Sequence, residues 1–193
     1  METAMNKNTK PGLRTVDLAR ISLCAALIAV CSWISIPTVV PFTFQTFAVF
    51  AVLELLGGKL GTISVFVYIL LAAVGVPVLA GFSGGLSALL GPTGGYVIGF
   101  IFIGLLYWLC ETLFGRKLPA RIAVLLLGLL VCYAFGTAWF MVVYAHRTGP
   151  IGLGLALEWC VIPFILPDLL KLALAVSVAS KLRKHILLDA SER

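Results

Sequence analysis

The chain has 193 residues, of which 61% are hydrophobic and 11% are charged. A soluble domain averages roughly 45–50% apolar and about 25% charged residues. The composition therefore excludes an ordinary water-soluble protein and indicates an integral membrane protein. The net charge of +6 does not indicate nucleic-acid binding, because the basic residues lie in short loops and tails between apolar runs. No linker or composition shift divides the chain, so we expect one domain over residues 1–193.

Six apolar segments follow one another along the chain, and each is interpreted as a membrane span. A span needs about 20 residues at 1.5 Å rise per residue. The second segment is short for that and is expected to be bent or only partly inserted. The predicted fold class is all-α, with six transmembrane helices. The approximate spans are 18–36, 44–57, 61–79, 93–114, 121–145 and 156–181.

The basic residues predict the orientation of these spans. Twelve of the 14 Lys and Arg fall on one side of the membrane when six spans are threaded. The other side carries Arg147, and Lys171 lies within a span. The positive-inside rule places the basic side, and with it both termini, in the cytoplasm. Five or seven spans would mix the charges, which favours six.

Three loops then face outward, at residues 37–43, 80–92 and 146–155. The loop at 80–92 is rich in glycine but still apolar, whereas a mobile aqueous loop would be more polar. Glycine permits close backbone turns. We therefore expect this loop to fold back over the membrane face as a lid above an outward-facing pocket.

The sixth span carries a carboxylate and an ammonium group one helical turn apart, at Asp168 and Lys171. A charge at membrane depth costs roughly 2.5–3.5 kcal/mol on insertion scales, so it is rarely present without a use. Residues at i and i+3 share one helix face. Pro167 suits the first turn of a helix and would place Asp168 near a helix N-terminus, after irregular backbone at 159–167. Ligand contact is favoured over a pair that only locks the span.

Other polar residues are weaker candidates. The stretch Gly91-Pro92-Thr93-Gly94-Gly95-Tyr96 opens the fourth span and exposes backbone N–H groups; a turn with an interfacial tyrosine is the equal alternative. Gln45 begins the second span and can both donate and accept hydrogen bonds, although a capping glutamine would do the same. Glu54, near the inner end of that span and close to Lys59, is interpreted as an interfacial carboxylate.

No catalytic or metal-binding pattern is present in the sequence. The two histidines lack metal-ligand spacing, the Walker A pattern is absent, and the five cysteines have no CxxC spacing and are interpreted as apolar packing residues. We therefore expect a protein that is not an enzyme and has no cofactor or metal. A small membrane enzyme using Asp168 as acid or base, or a channel or scaffold, is the competing interpretation.

The first span offers a surface for a partner. Ala25 and Ala29 lie at i and i+4 on one helix face, and small residues let helices approach closely in lipid. Such pairs are frequent by chance. The pattern is consistent with a docking face but does not by itself identify the partner.

Four stretches stand out by their order and spacing along the chain: Gly57-Gly58-Lys59-Leu60-Gly61-Thr62-Ile63-Ser64, Gly75-Val76-Pro77-Val78-Leu79, Gly91 to Tyr96, and Pro167 to Lys171. Together they resemble the BioY family, the biotin-binding S components of energy-coupling factor (ECF) transporters. The resemblance implies six helices in the bacterial plasma membrane, capture of biotin from outside, and energisation by separate coupling and ATPase subunits. It also implies that Ala25 and Ala29 form the motif that docks on the transmembrane coupling subunit.

Biotin matches the polar residues chemically. Its ureido ring has two N–H donors and one carbonyl acceptor, so Asp168 can accept from an N–H while Lys171 donates to the carbonyl. Some family members carry a basic residue directly after Gly-Gly-Tyr, suited to the biotin carboxylate, where this chain has Val97. Arg147, backbone N–H groups or water are the remaining partners for the carboxylate. The same architecture with another small vitamin is the alternative. The predicted binding residues are Asp168, Lys171, Gln45, Tyr96, Gly94, Gly95, Phe82 and Ser87, with apolar walls from Phe42, Phe82, Leu86 and Trp139.

Overall fold

The computed structural model describes residues 14–38 and 40–191, with side chains described as far as residue 182. Within these ranges the chain forms helices and one short antiparallel hairpin, in which Ser35 pairs with Thr43. The elements are α1 (Thr15–Trp33), β1 (Ser35–Ile36), β2 (Phe42–Thr43), α2 (Gln45–Leu56), α3 (Gly58–Ala73), a 3-10 turn (Ala80–Phe82), α4 (Leu86–Leu89), α5 (Gly94–Phe114), α6 (Leu118–Arg147), α7 (Leu153–Cys160) and α8 (Ile162–Ser191).

The lengths and compositions of the helices confirm the prediction of a helical membrane protein. Four described segments are long and apolar enough to cross a bilayer: Thr15–Trp33, Gly94–Phe114, Leu118–Arg147 and Leu153–Leu182. The helices α2 and α3 have 12 and 16 residues. At 1.5 Å per residue these measure about 18 and 24 Å, less than the roughly 30 Å hydrocarbon core. The count of six spans and the cytoplasmic termini stay predictions.

The short helix α2 occupies the centre of the bundle, where it packs against α1, α3 and α8. Apart from Gln45, Thr46 and Glu54 its residues are apolar, and they lie on all sides of the helix, which is typical of a helix buried on all sides. It turns directly into α3 because Gly57 takes a φ of 84°, a conformation that side chains disfavour. Gly58 then lies so close to the backbone of Trp108 that a Cβ would overlap it. Two glycines therefore fix the α2–α3 turn against α5.

The helical break before Asp168 is shorter than predicted. The backbone leaves the helix only at Val161, between α7 and α8, and α8 then continues through Pro167. The prediction of irregular backbone over 159–167 was therefore wrong for most of that range. Asp168 is the seventh residue of α8 and lies about 9 Å from its first residue, not at the helix N-terminus.

The connections gather at two ends of the bundle. The loop end carries residues 34–38 and 40–44 of the hairpin region, the long connection 74–93 and residues 148–161, which converge on one cavity. The turn end carries the α2–α3 turn and the α5–α6 connection, where Glu111 and Arg116 contact the turn at Gly57 and Gly58. The packing core lies between these ends, and the cavity described next lies at the loop end.

Candidate functional site

A cavity of about 360 Å³ lies at the loop end of the bundle. Sites for small molecules typically measure about 300–1,000 Å³, with mostly apolar walls and a few convergent polar groups. This cavity has that character, since its polar groups come from separate helices while leucine, valine and phenylalanine fill the wall. Its polar lining consists of Thr43, Gln45, Thr46, Ser83, Ser87, Thr93, Tyr96, Tyr133, Arg147, Asp168 and Lys171.

The buried ion pair of α8 forms the most polar part of the cavity wall. The Nζ of Lys171 lies 2.8 Å from Oδ1 of Asp168, and both side chains are almost completely buried. The i and i+3 spacing that the sequence shows thus becomes a direct contact. The two groups lie beside each other and in the wall of a cavity, as predicted. Their role as ligand contacts stays a prediction.

Three groups from other elements contact the ion pair and hold it in position. The hydroxyl of Tyr133, on α6, donates to Oδ2 of Asp168 at 2.6 Å. The Nζ of Lys171 donates to the carbonyl oxygen of Thr43 at 2.7 Å and lies 4.1 Å from the ring centroid of Phe42. The hairpin, α6 and α8 are therefore tied together at this point.

The pair retains hydrogen-bonding capacity after these contacts. An ammonium group has three N–H donors and an ionised carboxylate has about four lone-pair positions. The hydrogen bonds among the described residues use two donors of Lys171, and they use one position on each oxygen of Asp168. One donor and about two acceptor positions remain for a molecule in the cavity.

Gln45 and Tyr96 are brought to the same cavity from opposite sides. Gln45, the first residue of α2, donates from Nε2 to the hydroxyl of Tyr68 at 2.7 Å. The hydroxyl of Tyr96 lies 2.9 Å from Oγ1 of Thr137 on α6, and its ring rests against Gly136. Both side chains are thus held in place by neighbouring helices.

Residues of the loop 80–92 line part of the cavity, and the role of this loop as a lid stays a prediction. Ala80, Ser83 and Ser87 line it from this loop, and Val40 and Pro41 line it from the hairpin region. Phe82 does not line the cavity; it is 65% exposed and stacks on Trp33 at 5.0 Å between ring centroids. Its φ of 55° is uncommon for a bulky residue, so the stack holds a strained turn at the outer surface.

Gly94 and Gly95 also lie outside the cavity lining. A Cβ on Gly94 would overlap the Leu89 carbonyl, and one on Gly95 would overlap the Trp139 side chain. Both glycines therefore permit close packing at the start of α5. The walls predicted from Phe42, Leu86 and Trp139 are likewise absent from the lining, although Phe42 supports Lys171 from behind.

The structure corrects the placement of the docking alanines. Ala25 and Ala29 are only 1% and 5% exposed, because this face of α1 packs against α2 and α3 inside the bundle. They are therefore not available to an outside partner. The small residues on the exposed face of α1 are Ser22 and Ala26. They lie on a different side of the helix from Ala25 and Ala29.

The structure also corrects the interpretation of Glu54. Its side chain is completely buried, and Oε2 accepts a hydrogen bond from Nη1 of Arg121 at 2.6 Å. The hydroxyl of Tyr107 donates to Oε1 at 3.0 Å. Glu54 is therefore half of a second buried ion pair, toward the turn end, and is not an interfacial carboxylate.

Comparison with known proteins agrees with these features. The model of the BioY family matches residues 4–187. The chain belongs to the BioY family. The family resemblance drawn from the sequence motifs is thereby confirmed.

Two BioY relatives match over nearly their whole length. The biotin transporter BioY of Thermotoga maritima is 41% identical over 173 residues, covering 87% of this chain and 96% of the relative. The probable biotin transporter BioY of Pyrococcus horikoshii is 38% identical over 172 residues, covering 89% and 98%. Such coverage of both chains indicates a shared architecture from one end to the other.

A solved structure matches as well. The crystal structure of the S-component for biotin from an ECF-type ABC transporter superposes with a TM-score of 0.77 at 29% sequence identity. The match covers 94% of this chain and 95% of that chain. The arrangement of helices described above is thus that of a BioY-type membrane protein.

Tyr133 and the carbonyl of Thr43 were missed in the sequence. Tyr133 lies in the middle of an apolar segment, and a single tyrosine there is usually a packing residue. The chain already carries a carboxylate within a span, and a buried tyrosine hydroxyl usually finds a hydrogen-bond partner. A tyrosine in another long span is therefore the signal that could have pointed to Tyr133. A backbone carbonyl gives no such signal, because every residue has one.

Proposed function

We propose that this chain is the high-affinity biotin-binding subunit of an energy-coupling factor transporter. The observation that carries the proposal is the buried pair of Asp168 and Lys171 in the wall of a vitamin-sized cavity. The names of the BioY relatives and of the solved S-component support biotin as the ligand. In this role the chain performs no catalytic step; coupling and ATPase subunits supply the energy.

The ureido ring of biotin binds at the ion pair in this proposal. The remaining acceptor positions of Asp168 receive a ureido N–H, and the remaining donor of Lys171 reaches the ureido carbonyl. Gln45, Tyr96 and Ser87 line the same space and complete the polar set. A water-excluding wall strengthens these hydrogen bonds. Gly94, Gly95 and Phe82 take no direct part, because they do not line the cavity.

The carboxylate end of biotin then points toward the rim. Arg147, the last residue of α6, lines the cavity and is exposed. Its guanidinium lies where the carboxylate of biotin would leave the pocket. It thus replaces the basic residue that some family members carry at the position of Val97. Because it is exposed, its contribution is smaller than that of the buried pair.

Calorimetric titration of the purified chain with biotin tests the proposal. We expect one site per chain with tight binding, and no comparable heat with riboflavin or thiamine. Tighter binding of another vitamin would support the S-component role but show that biotin is not the ligand. The absence of binding by any vitamin, in protein shown to be folded, would refute the role itself.

We further propose that the chain crosses the membrane six times, through α1, α2, α3, α5, α6 and the α7–α8 pair, with both termini in the cytoplasm. A single cysteine at Ser83, in the loop end, is then expected to react with an impermeant thiol reagent added outside intact cells. A single cysteine at Lys117, at the turn end, should react only after the cells are opened. The native cysteines are first replaced. Labelling of both positions from outside would contradict this topology.

The exposed face of α1 is the one we propose for contact with the coupling subunit. Ala26→Trp adds bulk there without entering the bundle, so biotin affinity should not change. Overpacking of a contact costs roughly 1–3 kcal/mol, so association and uptake should fall by about tenfold or more. Uptake of radioactive biotin with all subunits present measures this. Val142→Trp, at an exposed position on α6, is the matched control, and wild-type uptake by Ala26→Trp would reject this face.

A further inference from the structure

A second cavity lies at the turn end, on the side of the bundle away from the vitamin cavity. We call it the α5–α6 groove, because the last turns of α5 and the first turns of α6 form both of its walls. Its volume is about 390 Å³. Its lining is apolar throughout and consists of Leu106, Leu109, Cys110, Leu113, Phe114, Ala120, Ala123, Val124 and Leu127.

The groove opens toward the hydrocarbon of the membrane. Leu109, Leu113 and Leu127 on its two walls are each more than half exposed. Ala123, between these larger side chains, is exposed because its methyl group is too small to fill the space. The thiol of Cys110, in the floor of the groove, already donates to the carbonyl of Ala120. The groove is therefore an apolar slot with no polar ligand to satisfy.

The dimensions of the slot fit one acyl chain. Leu106 to Phe114 covers eight residue steps of α5, or about 12 Å at 1.5 Å each, which is close to the roughly 15 Å depth of one leaflet. An apolar cavity of about 150 Å³ accommodates benzene, so a slot of this volume holds roughly fifteen carbon atoms. A partner helix crossing the membrane would instead require a continuous face along the full bilayer.

Positive charge lies at the open end of the groove, where a lipid headgroup would sit. The connection between α5 and α6 consists of Gly115, Arg116 and Lys117, between Phe114 and Leu118. Arg116 binds Glu111 through Nε, and its side chain is 39% exposed, while Lys117 is exposed and enters no ion pair among the described residues. Lys117 also directly precedes α6, so the cation adds to the positive end of a helix whose first turn has no acidic residue.

We propose that the α5–α6 groove binds one anionic phospholipid, with an acyl chain in the slot and the phosphate beside Lys117 and Arg116. The apolar slot binds the acyl chain, and the basic connection between α5 and α6 favours an anionic headgroup. Basic pockets at the ends of membrane helices are a known basis for preference for anionic lipids. This site is separate from the vitamin cavity and does not depend on what that cavity binds.

Native mass spectrometry of the full chain in mild detergent tests the site, with phosphatidylglycerol and phosphatidylcholine added at equal concentration. We expect one retained phosphatidylglycerol per chain and less phosphatidylcholine. Lys117→Gln should lower phosphatidylglycerol retention about fivefold, since one cation near the surface contributes at that scale. Ala123→Phe fills the slot and should lower the retention of both lipids.

Two control variants keep the test specific. Lys59→Gln removes an exposed cation from the α2–α3 turn outside the groove, and Val142→Phe adds an aromatic ring to the opposite end of α6. Both should retain phosphatidylglycerol as the wild type does. Equal retention of the two lipids, or loss with Lys59→Gln as large as with Lys117→Gln, would overturn the headgroup assignment. Undiminished retention by Ala123→Phe would overturn the acyl slot, whatever the outcome of biotin titration.

Discussion

Asp168→Asn is expected to weaken biotin binding by about ten- to a hundredfold. The substitution preserves shape but removes the charge, and hydrogen bonds to charged groups are worth about 1.5–3 kcal/mol. Lys171→Met should have an effect at least as large, because it removes the donor and leaves the buried Asp168 with Tyr133 as its remaining described partner. Calorimetry or equilibrium dialysis with the purified variants measures the affinities.

Folding must be checked in the same variants. Size-exclusion profiles and melting temperatures separate a lost contact from a lost structure. Tyr133→Phe is an informative companion, since it keeps the ring and removes only the hydroxyl that holds Oδ2 of Asp168. We expect it to weaken binding less than Asp168→Asn does. Normal biotin affinity in folded Asp168→Asn and folded Lys171→Met would show that the pair only locks α8.

Arg121→Met is expected to destabilise the protein by about 3–5 kcal/mol, because it removes the guanidinium that pairs with the buried carboxylate of Glu54. Glu54→Gln should be similarly harmful, since the guanidinium of Arg121 is itself buried and its Nε already has no hydrogen-bond partner among the described residues. Thermal unfolding in detergent, followed by tryptophan fluorescence, measures the loss.

Removing both charges provides the control. The combination of Glu54→Leu, Arg121→Met and Tyr107→Phe replaces the ion pair and the tyrosine hydroxyl by apolar groups, and exchange of a buried pair for apolar residues is often neutral or stabilising. We expect the triple variant to melt well above either single variant. Single variants that melt with the wild type would show that this ion pair adds nothing to stability.

The sequence was sufficient for the parts of this protein that depend on composition and on local spacing. The membrane class follows from the apolar fraction, and the contact between Asp168 and Lys171 follows from their spacing on a helix. The position of the loop 80–92 against the cavity was expected from glycines in an apolar connection. These features are set by residues close together in the chain, so no knowledge of packing is needed to find them.

Features set by packing were wrong or missed. The orientation of α1 could not be determined, because its lipid-facing and bundle-facing sides are both apolar, so Ala25 and Ala29 look the same as Ser22 and Ala26. Glu54 was taken as interfacial because its partner, Arg121, is 67 positions away and looks like a loop cation. Tyr133 was missed for a similar reason, since it meets Asp168 from another helix.

The two buried ion pairs differ in when they can form during biosynthesis. Asp168 and Lys171 are three residues apart and neutralise each other as soon as α8 becomes helical. Glu54 meets Arg121 only after a further 67 residues have been synthesised. This link therefore depends on two separate helices, α2 and α6, being packed together, whereas the pair on α8 depends on one helix alone.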